Sequence, residues 1–356
     1  MALVNESMFL MYRRFLPITP NTNLTEVTTP ADLIDYIESR MNGLTGKVGL
    51  LLSSGMDSAI LAKFLPPGSI AYTFDYGTQR EDLSEFHGAS FFVKDGVTHK
   101  RIEITKERFY WALDEVIRLK QMPAVPHEAA IYLACLEAKK DGVDHLATGV
   151  GADGRFGGFS HFYKDRTVAG FKENLHKQFV SPQKVLVDPV NVDWVFEKYM
   201  EAGKINVQRF LLEVGTEGTA VTDVIRCSGL DAVNPYTELR YAKVLADGSQ
   251  AKGFIKSAFD RVYPGQKPNK KYALPVPYGA WIEGYTPSRP EFRKVTLKQF
   301  GGKRFHQVYS LERYMDLKSE YRWVDPYESS RQSGFLKAAR AGANVIRSLF
   351  RRAKQP

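Results

Sequence analysis

The stretch Leu50-Leu-Leu-Ser-Ser-Gly-Met-Asp-Ser58, followed by AILAKFL over residues 59–65, decides the fold class. An apolar run typical of a buried strand enters a turn of small residues, and the turn opens a helical pattern. Small side chains let backbone N–H groups approach an anion, and the start of a helix adds partial positive charge. The stretch therefore predicts an anion-binding turn between a strand and a helix, although a plain turn with a capping serine is the common structural alternative.

An acid inside this turn narrows the prediction. Ser53, Ser54 and Ser58 offer hydroxyl donors to an anion, whereas the carboxylate of Asp57 would repel it. A metal ion between the carboxylate and a phosphate removes the conflict, and this combination indicates magnesium pyrophosphate. The turn lacks the Gly-Lys-Ser/Thr of a Walker loop, so transfer of a γ-phosphoryl group is not implied.

The residues around the turn alternate between short apolar runs and helical patterns, which is typical of βαβ units and a parallel sheet. From about residue 166 to 265 the pattern is mostly helical, so we expect an α/β fold with a more helical C-terminal half. Residues 264–290, rich in Pro, Gly and Tyr, are expected to form an ordered loop. The predicted strands are 48–53, 69–76, 97–104 and 144–150, and the predicted helices include residues 109–117 and 128–140.

Composition excludes several classes of protein. The 356 residues are 44% hydrophobic and 25% charged, which argues against wholesale disorder. No apolar run is long enough for a membrane span, and the first residues lack the order of a signal peptide. Two cysteines, Cys135 and Cys227, are too few for a disulfide framework or a four-thiolate zinc site. We therefore expect a cytoplasmic protein.

The net charge of +9 comes mainly from the last residues of the chain. Residues 331–356 contain seven basic residues and no acid, so that without them the net charge falls to +2. Apolar and basic residues fall on different sides of a helix in this tail, which favours contact with an acidic partner or an anionic membrane. A helix that packs its apolar side on the body of the protein is at least as good an interpretation, and nucleic acid ranks third.

A second glycine-rich turn follows a predicted strand about ninety residues later. It reads Thr148-Gly-Val-Gly-Ala-Asp-Gly-Arg-Phe-Gly-Gly158, and its five glycines indicate close backbone approach or positive φ angles. Its one acid, Asp153, is positioned in the sequence to face Asp57 across a metal ion. A flexible connection without a site is the structural alternative.

The ordered pair of turns resembles the synthetase domain of the asparagine synthetase and β-lactam synthetase family, an N-type ATP pyrophosphatase. The first turn is similar to the family's SGGxDS loop, with Ser54 in place of the first glycine, and the second is similar to SGxGSDExFGG. Three later stretches also resemble family motifs, over roughly residues 30–285. They are Gly229-Leu-Asp-Ala-Val-Asn-Pro-Tyr236, Lys252-Gly-Phe-Ile-Lys-Ser-Ala-Phe-Asp-Arg-Val-Tyr-Pro264 and Lys271-Tyr-Ala-Leu-Pro-Val-Pro-Tyr-Gly-Ala-Trp281.

The chain departs from the family pattern at the positions that supply or activate the nitrogen nucleophile in the family. Only about forty-five residues precede the first turn and position 2 is Ala2, so we expect no glutaminase domain and no nucleophilic cysteine for making ammonia. Val150 replaces a residue that transfers protons in the family, and Gly154 replaces a glutamate. Asp231 and Val233 replace a glutamate and an arginine. The positions that handle ATP are largely kept.

The resemblance implies a fold of the adenine-nucleotide α-hydrolase type, ATP and Mg²⁺ as cofactors, and a set of site residues. It places Lys252 and Lys271 near the phosphates and makes Asp231 the nearest candidate for a general base, with Glu238 as another possibility. Asp57 and Asp153 would hold the metal. The remaining predicted nucleotide contacts are Leu52, Ser53, Ser54, Gly55, Met56, Ser58, Phe74, Asp75, Gly149 and Gly151; of these, Leu52, Phe74 and Asp75 are chosen for the adenine by their position at strand ends.

We expect an AMP-forming amide ligase that adenylates a carboxylate and transfers it to an amine or to ammonia. The acid would be a small molecule or a peptide, and a separate amidotransferase or glutaminase would be a possible nitrogen source. An RNA-modifying ATP pyrophosphatase and a nucleotide- or partner-binding domain without catalysis are the alternatives. The expected organisation is an N-terminal extension (1–45), the synthetase-like domain (46–290), a connection (291–330) and the basic tail (331–356).

Overall fold

The structure is a computed structural model that describes residues 3–15, 23–78, 84–214, 217–241, 252–266 and 276–320. The chain divides into two compact units, residues 1–314 and 315–356, and residues 315–320 are the described part of the second unit. The predicted basic tail lies outside the described residues. The boundaries predicted at residues 45, 290 and 330 therefore stay predictions.

The described elements are short strands and helices in alternation. The strands are β1 (Thr25–Val27), β2 (Val48–Leu51), β3 (Ile70–Asp75), β4 (Thr98–Glu103), β5 (His145–Thr148), β6 (Met200–Glu201), β7 (Lys204–Ile205), β8 (Asp231–Val233) and β9 (Leu239–Tyr241). The α-helices are α1 (Val4–Tyr12), α2 (Pro30–Asn42), α3 (Met56–Lys63), α4 (Glu85–Ser90), α5 (Lys106–Lys120), α6 (Pro126–Lys140), α7 (Ala152–Arg155), α8 (Val168–Gln178), α9 (Pro182–Val185), α10 (Trp194–Glu197), α11 (Val207–Glu213), α12 (Glu217–Cys227), α13 (Gly253–Val262), α14 (Tyr278–Trp281), α15 (Leu297–Phe300) and α16 (Gly302–Glu320). Short 3-10 helices span Ser160–Tyr163 and Pro235–Glu238.

The central element is a five-stranded sheet in the order β4-β3-β2-β5-β8, in which every pair of neighbours is parallel. The apolar run at residues 48–51 forms the middle strand β2, and all four of its residues are buried. Parallel strands end at one common edge, and in such sheets ligands bind at the carboxyl edge. The two glycine-rich turns follow β2 and β5, so adjacent strands deliver both of them to that edge.

Two groups of helices flank the sheet. Helices α2, α3 and α13 pack together in one apolar core, to which the strands contribute Leu50, Ala71, Ala147 and Val233. Helices α5, α6 and α12 form the second group. The predicted α/β class with a parallel sheet and a more helical C-terminal half is therefore confirmed, and all four predicted strands are present but two or three residues shorter than expected.

A second apolar core joins the start of the chain to its middle. It is formed by α1 together with residues from α8, α10 and α11. Met8, Phe9 and Leu10 of α1 are fully buried, so the first residues of the chain are part of the packed protein. None of the helices in the described ranges combines the length and the apolar character needed to cross a membrane.

Candidate active site

The first turn connects β2 to α3 and is closed by the hydroxyl of Ser58. This hydroxyl accepts a hydrogen bond from the backbone N–H of Ser53 at 3.0 Å and lies 2.8 Å from the Ser53 hydroxyl. The Ser53 hydroxyl in turn accepts from the N–H of Gly55 at 3.2 Å. Ser53 and Ser58, which the sequence predicts to be phosphate donors, therefore also stabilise the shape of the loop. Met56 is the first residue of α3, and Asp57 follows it in the first turn of that helix.

The second turn lies directly against the first. A Cβ atom added to Gly149 would lie 2.8 Å from the backbone nitrogen of Ser58 and 2.9 Å from the carbonyl carbon of Asp57. Only glycine permits this approach, because those atoms are backbone and cannot move aside. Gly151 has a φ angle of +99°, which a residue with a side chain rarely adopts, and it lies immediately before α7. The structure thus brings residues 53–58 and 148–158 together.

Lys252 links the two acids of these turns. Its ammonium lies 2.5 Å from Oδ1 of Asp153 and 3.3 Å from Oδ2 of Asp57, and all three side chains are less than one quarter exposed. Burial alone would lower the pKa of Lys252, but the two carboxylates raise the pKa by more, so it lies above its ordinary value. The site therefore holds a permanent positive charge between two acids.

The donor set fits magnesium but not a metal held by protein ligands alone. In the described ranges no three histidine, cysteine, aspartate or glutamate side chains converge on one point. Mg²⁺ in nucleotide sites is commonly held by one or two carboxylates together with substrate phosphates and water. Asp57 and Asp153 provide such a pair, because both lie within reach of one cation, here the Lys252 ammonium.

Two buried tyrosines from the later part of the chain hold α3 in place. The hydroxyl of Tyr236 donates to the carbonyl of Asp57, and that of Tyr263 donates to the carbonyl of Ala59, each at 2.9 Å. Burial raises the pKa of both phenols, so they remain protonated donors. Tyr236 also packs edge-on against Phe156 of the second turn. The stretch that ends at Tyr236 therefore supports the phosphate loop structurally.

The residues predicted near the adenine lie at the carboxyl ends of β2 and β3: Leu52 follows β2, and Phe74 and Asp75 end β3. Asp75 pairs with Arg101 at 2.9 Å and accepts the N–H of Gly77 at 2.8 Å, while Phe74 is half-buried on the same strand. The carbonyl of Leu52 accepts the hydroxyl of Thr73 at 2.8 Å. These contacts place Leu52, Phe74 and Asp75 at the edge that also carries the two turns, and their contact with adenine stays a prediction.

A short hydrogen-bonded chain fixes the start of the phosphate loop. Nε2 of His99 lies 2.9 Å from the Thr73 hydroxyl, which donates to Leu52. Burial, together with the charge of Arg101, lowers the pKa of His99 to about 4. At neutral pH this histidine is therefore uncharged and acts as a structural partner.

Two acids considered for the general base lie elsewhere. Asp231 begins β8 and pairs in register with His145, the first residue of β5, so it lies at the amino end of the strands, opposite to the two turns. Its side chain is 79% exposed and is 3.5 Å from the imidazole of His145. Glu238 accepts hydrogen bonds from Tyr36 at 2.7 Å and from Arg40 at 3.1 Å. Asp231 is therefore at the opposite end of the strands from the two turns, whereas Glu238 is already paired with two residues of α2.

Lys271 lies outside the described residues, so its placement stays a prediction. The described end of its motif forms α14, where Trp281 packs against Tyr76 with ring centroids 6.0 Å apart. Tyr76 follows β3 directly, so α14 approaches the carboxyl edge of the sheet. In the second turn, the backbone N–H of Val150 donates to the Thr148 hydroxyl at 3.3 Å.

Sequence reasoning missed two polar residues at this edge. Asn234 follows β8 at the carboxyl end, is 2% exposed, and has no hydrogen-bond partner for its side-chain amide within the part of the chain that the structure describes. Glu85, the first residue of α4, accepts hydrogen bonds from Ser54. Asn234 directly follows Val233, the residue that stands in place of the arginine of the family motif. No motif includes Glu85.

The sheet, the strand–turn–helix loop and the paired acids define a PP-loop type of α/β nucleotide-binding protein. A family model described as asparagine synthase matches residues 32–219. The chain belongs to the asparagine synthase family, whose enzymes use ATP.

Two individual proteins are similar to parts of the chain. A protein of Methanocaldococcus jannaschii, named as a putative glutamine-hydrolysing asparagine synthetase 1, is 32% identical over 165 residues; the match covers 43% of this chain and 29% of that protein. A solved structure titled as a predicted subunit of tRNA methyltransferase, from the same species, covers 56% of this chain and 94% of its own. Its sequence identity is 17% and its TM-score 0.20.

Proposed function

We propose that the protein is an ATP-dependent, AMP-forming ligase that joins a carboxylate to an amine or to ammonia. The observation that carries the proposal is the contact of one lysine with both acids, because Lys252 joins Asp57 of the first turn to Asp153 of the second. Membership of the asparagine synthase family supports the use of ATP. The matched relative is much longer than the shared segment, so its substrates come to this chain only as part of this proposal.

In the first step an oxygen of the carboxylate attacks the α-phosphorus of ATP. A P–O bond forms, the bond from the α-phosphorus to the bridging oxygen breaks, and pyrophosphate leaves with that electron pair. The backbone N–H groups and hydroxyls at residues 53–58 would bind the departing pyrophosphate. The positive charge of Lys252 lies at the same place and would offset the negative charge that develops there.

In the second step the amine attacks the acyl carbon and AMP leaves with the oxygen that the acid supplied. Mg²⁺, when bound to Asp57 and Asp153, would neutralise phosphate charge. The amine must also lose a proton, and the exposed position of Asp231 at the opposite end of the strands argues against its use as the base. The proposed reaction therefore does not use Asp231. The nitrogen would come from an amine substrate, free ammonia or a separate glutaminase.

The products of ATP cleavage test this proposal. The protein is incubated with ATP, Mg²⁺, a panel of acids and hydroxylamine, a small nucleophile that converts acyl-adenylates to hydroxamates. We expect AMP, pyrophosphate and hydroxamate in equal amounts for the acid that is used, and a loss of at least a hundredfold in Asp57→Asn. The exposed Asp231→Asn serves as the control and should retain activity. Formation of ADP and phosphate, or nucleotide binding without cleavage for any acid, would contradict the proposal.

A further inference from the structure

The carboxylate of Glu85 occupies two donors of the phosphate loop, both of them on Ser54. Oε1 of Glu85 accepts the backbone N–H of Ser54 at 2.6 Å. The hydroxyl of Ser54 donates to the same carboxylate, at 3.0 Å from Oε1 and 3.1 Å from Oε2. Ser54 is the residue that departs from the glycine of the loop pattern, and its hydroxyl is used in this contact.

The helix that carries Glu85 is fixed to the sheet. The Ser84 hydroxyl accepts from the N–H of His87 at 3.1 Å and caps α4. Phe86 stacks on His99 with ring centroids 4.0 Å apart, and the guanidinium of Arg101 lies 4.4 Å from the same Phe86 ring. Because the backbone at Glu85 is held on both sides, rotation of its side chain is the simplest movement that would free Ser54.

A phosphate oxygen and a carboxylate oxygen compete for the same donors. Both are anionic acceptors, and like charges that share a site repel one another. Asp57 already lies three residues further along the loop, where Lys252 partly neutralises it. A third acid beside the pyrophosphate would therefore weaken binding unless it moved away.

We propose that Glu85 is a resident anion of the phosphate loop, which is bound to Ser54 and is displaced when pyrophosphate or the triphosphate of ATP binds. The inference rests on the proposed function, because it takes the loop to be the pyrophosphate site. In this role Glu85 lowers affinity for pyrophosphate and returns to Ser54 as the product leaves. If Glu85 were a fixed anchor of the loop, its removal would have the opposite effect on affinity.

The sign of the change in pyrophosphate affinity separates these two roles. Binding of magnesium pyrophosphate to the full chain is measured by calorimetry, without acid or amine, for the wild type, Glu85→Gln and Glu85→Ala. We expect both variants to bind about tenfold more tightly, because both remove the negative charge beside the pyrophosphate, glutamine keeping a neutral acceptor and alanine keeping none. Glu103→Gln is the matched control, since it removes one exposed charge beside Asp75 at the same sheet edge, and it should change affinity less than twofold.

The outcomes are distinct. Tighter binding in both Glu85 variants, with the control unchanged, supports the resident anion. Equal or weaker binding in folded Glu85→Gln, while the wild type binds pyrophosphate, overturns this inference and leaves the proposed function intact. If neither the wild type nor any variant binds pyrophosphate, the proposed function fails as well.

Discussion

Lys252 adopts a backbone conformation that residues with side chains rarely use. Its φ angle is +57°, in the left-handed region, and it lies immediately before α13. Such a conformation costs roughly 1 kcal/mol for a residue other than glycine. It persists here while the side chain contacts Asp57 and Asp153, so the cost is offset at the site where a positive charge is needed.

Replacing Lys252 by methionine should leave two acids close together without a cation. We expect the free energy of unfolding at pH 8 to fall by roughly 2 kcal/mol, less than for a fully buried pair because all three side chains are partly exposed. The pKa of Lys252 is raised, so its contribution is complete at neutral pH and is lost only as pH rises through the folded-state pKa. Urea unfolding measures the change. Lys100→Met, which breaks an outer pair with Asp141, is the matched control and should cost under 1 kcal/mol; an equal loss in the two variants would contradict the account.

His306 provides a pH test at a single residue. It is fully buried, stacks on Tyr110, and burial lowers the pKa of its imidazole to about 3. The unfolded chain takes up this proton near pH 6.5, so the free energy of unfolding falls as pH drops from about 6.5 towards 3. At pH 5 this effect reaches about 2 kcal/mol.

We therefore expect His306→Phe to lose about 2 kcal/mol less than the wild type between pH 7.5 and pH 5. Urea unfolding of the variant and the wild type at the two pH values gives the difference. An identical pH dependence in His306→Phe and the wild type would show that this histidine is not held neutral.

At the scale of elements, α3 carries the phosphate loop and is held by two tyrosines. Tyr236 donates to the carbonyl of Asp57 at the loop, and Tyr263 donates to the carbonyl of Ala59 further along the helix. Both hydroxyls are buried donors of about equal geometry, so removing either costs about 1 kcal/mol of stability. Because only Tyr236 contacts the phosphate loop itself, the two tyrosines can separate an effect on stability from an effect on nucleotide binding.

Phenylalanine at each position tests this separation. We expect Tyr236→Phe and Tyr263→Phe to lower the free energy of unfolding by similar amounts, measured with urea. Only Tyr236→Phe should weaken ATP binding, by about threefold to tenfold, because it alone frees the carbonyl of Asp57. Similar losses of ATP affinity in both variants would contradict the assignment of Tyr236 to the loop.

The sequence predicted these elements where the pattern was local. The buried strand, the small turn and the helix at residues 48–63 follow from adjacent residues, and the parallel sheet follows from their repetition. The position of Asp231 could not be predicted, because it depends on the register of β8 against β5, which places it at the amino end of the strand. The contact of Glu85 with Ser54 joins residues thirty-one positions apart, and no spacing rule indicates it.

At the scale of the whole molecule, the first residues pack against a late helix. The side-chain amide of Gln307, in α16, donates to the carbonyls of Phe9 and Leu10 at the end of α1, each at 2.8 Å. Gln307 is fully buried. The sequence analysis treats residues 1–45 as an N-terminal extension, and it could not predict this packing, because the partners of α1 lie far along the chain.

Gln307→Ala should therefore destabilise the protein, although Gln307 is far in sequence from the two glycine-rich turns. We expect a loss of about 2 kcal/mol in the free energy of unfolding, because two buried carbonyls each lose one of their hydrogen bonds and a cavity remains. Exposed Gln266→Ala is the control and should stay within about 0.5 kcal/mol of the wild type. No loss in Gln307→Ala would show that α1 is not part of the folded unit.

The origin of the oxygen atoms in AMP tests the central claim most directly. Once an acid is identified by hydroxamate formation, it is supplied with ¹⁸O in its carboxylate, and AMP is analysed by the isotope shift of its phosphorus resonance. If the carboxylate attacks the α-phosphorus, one labelled oxygen appears in AMP and none in pyrophosphate. Unlabelled AMP, or label in inorganic phosphate, would show that ATP is cleaved at the loop without adenylation of the acid.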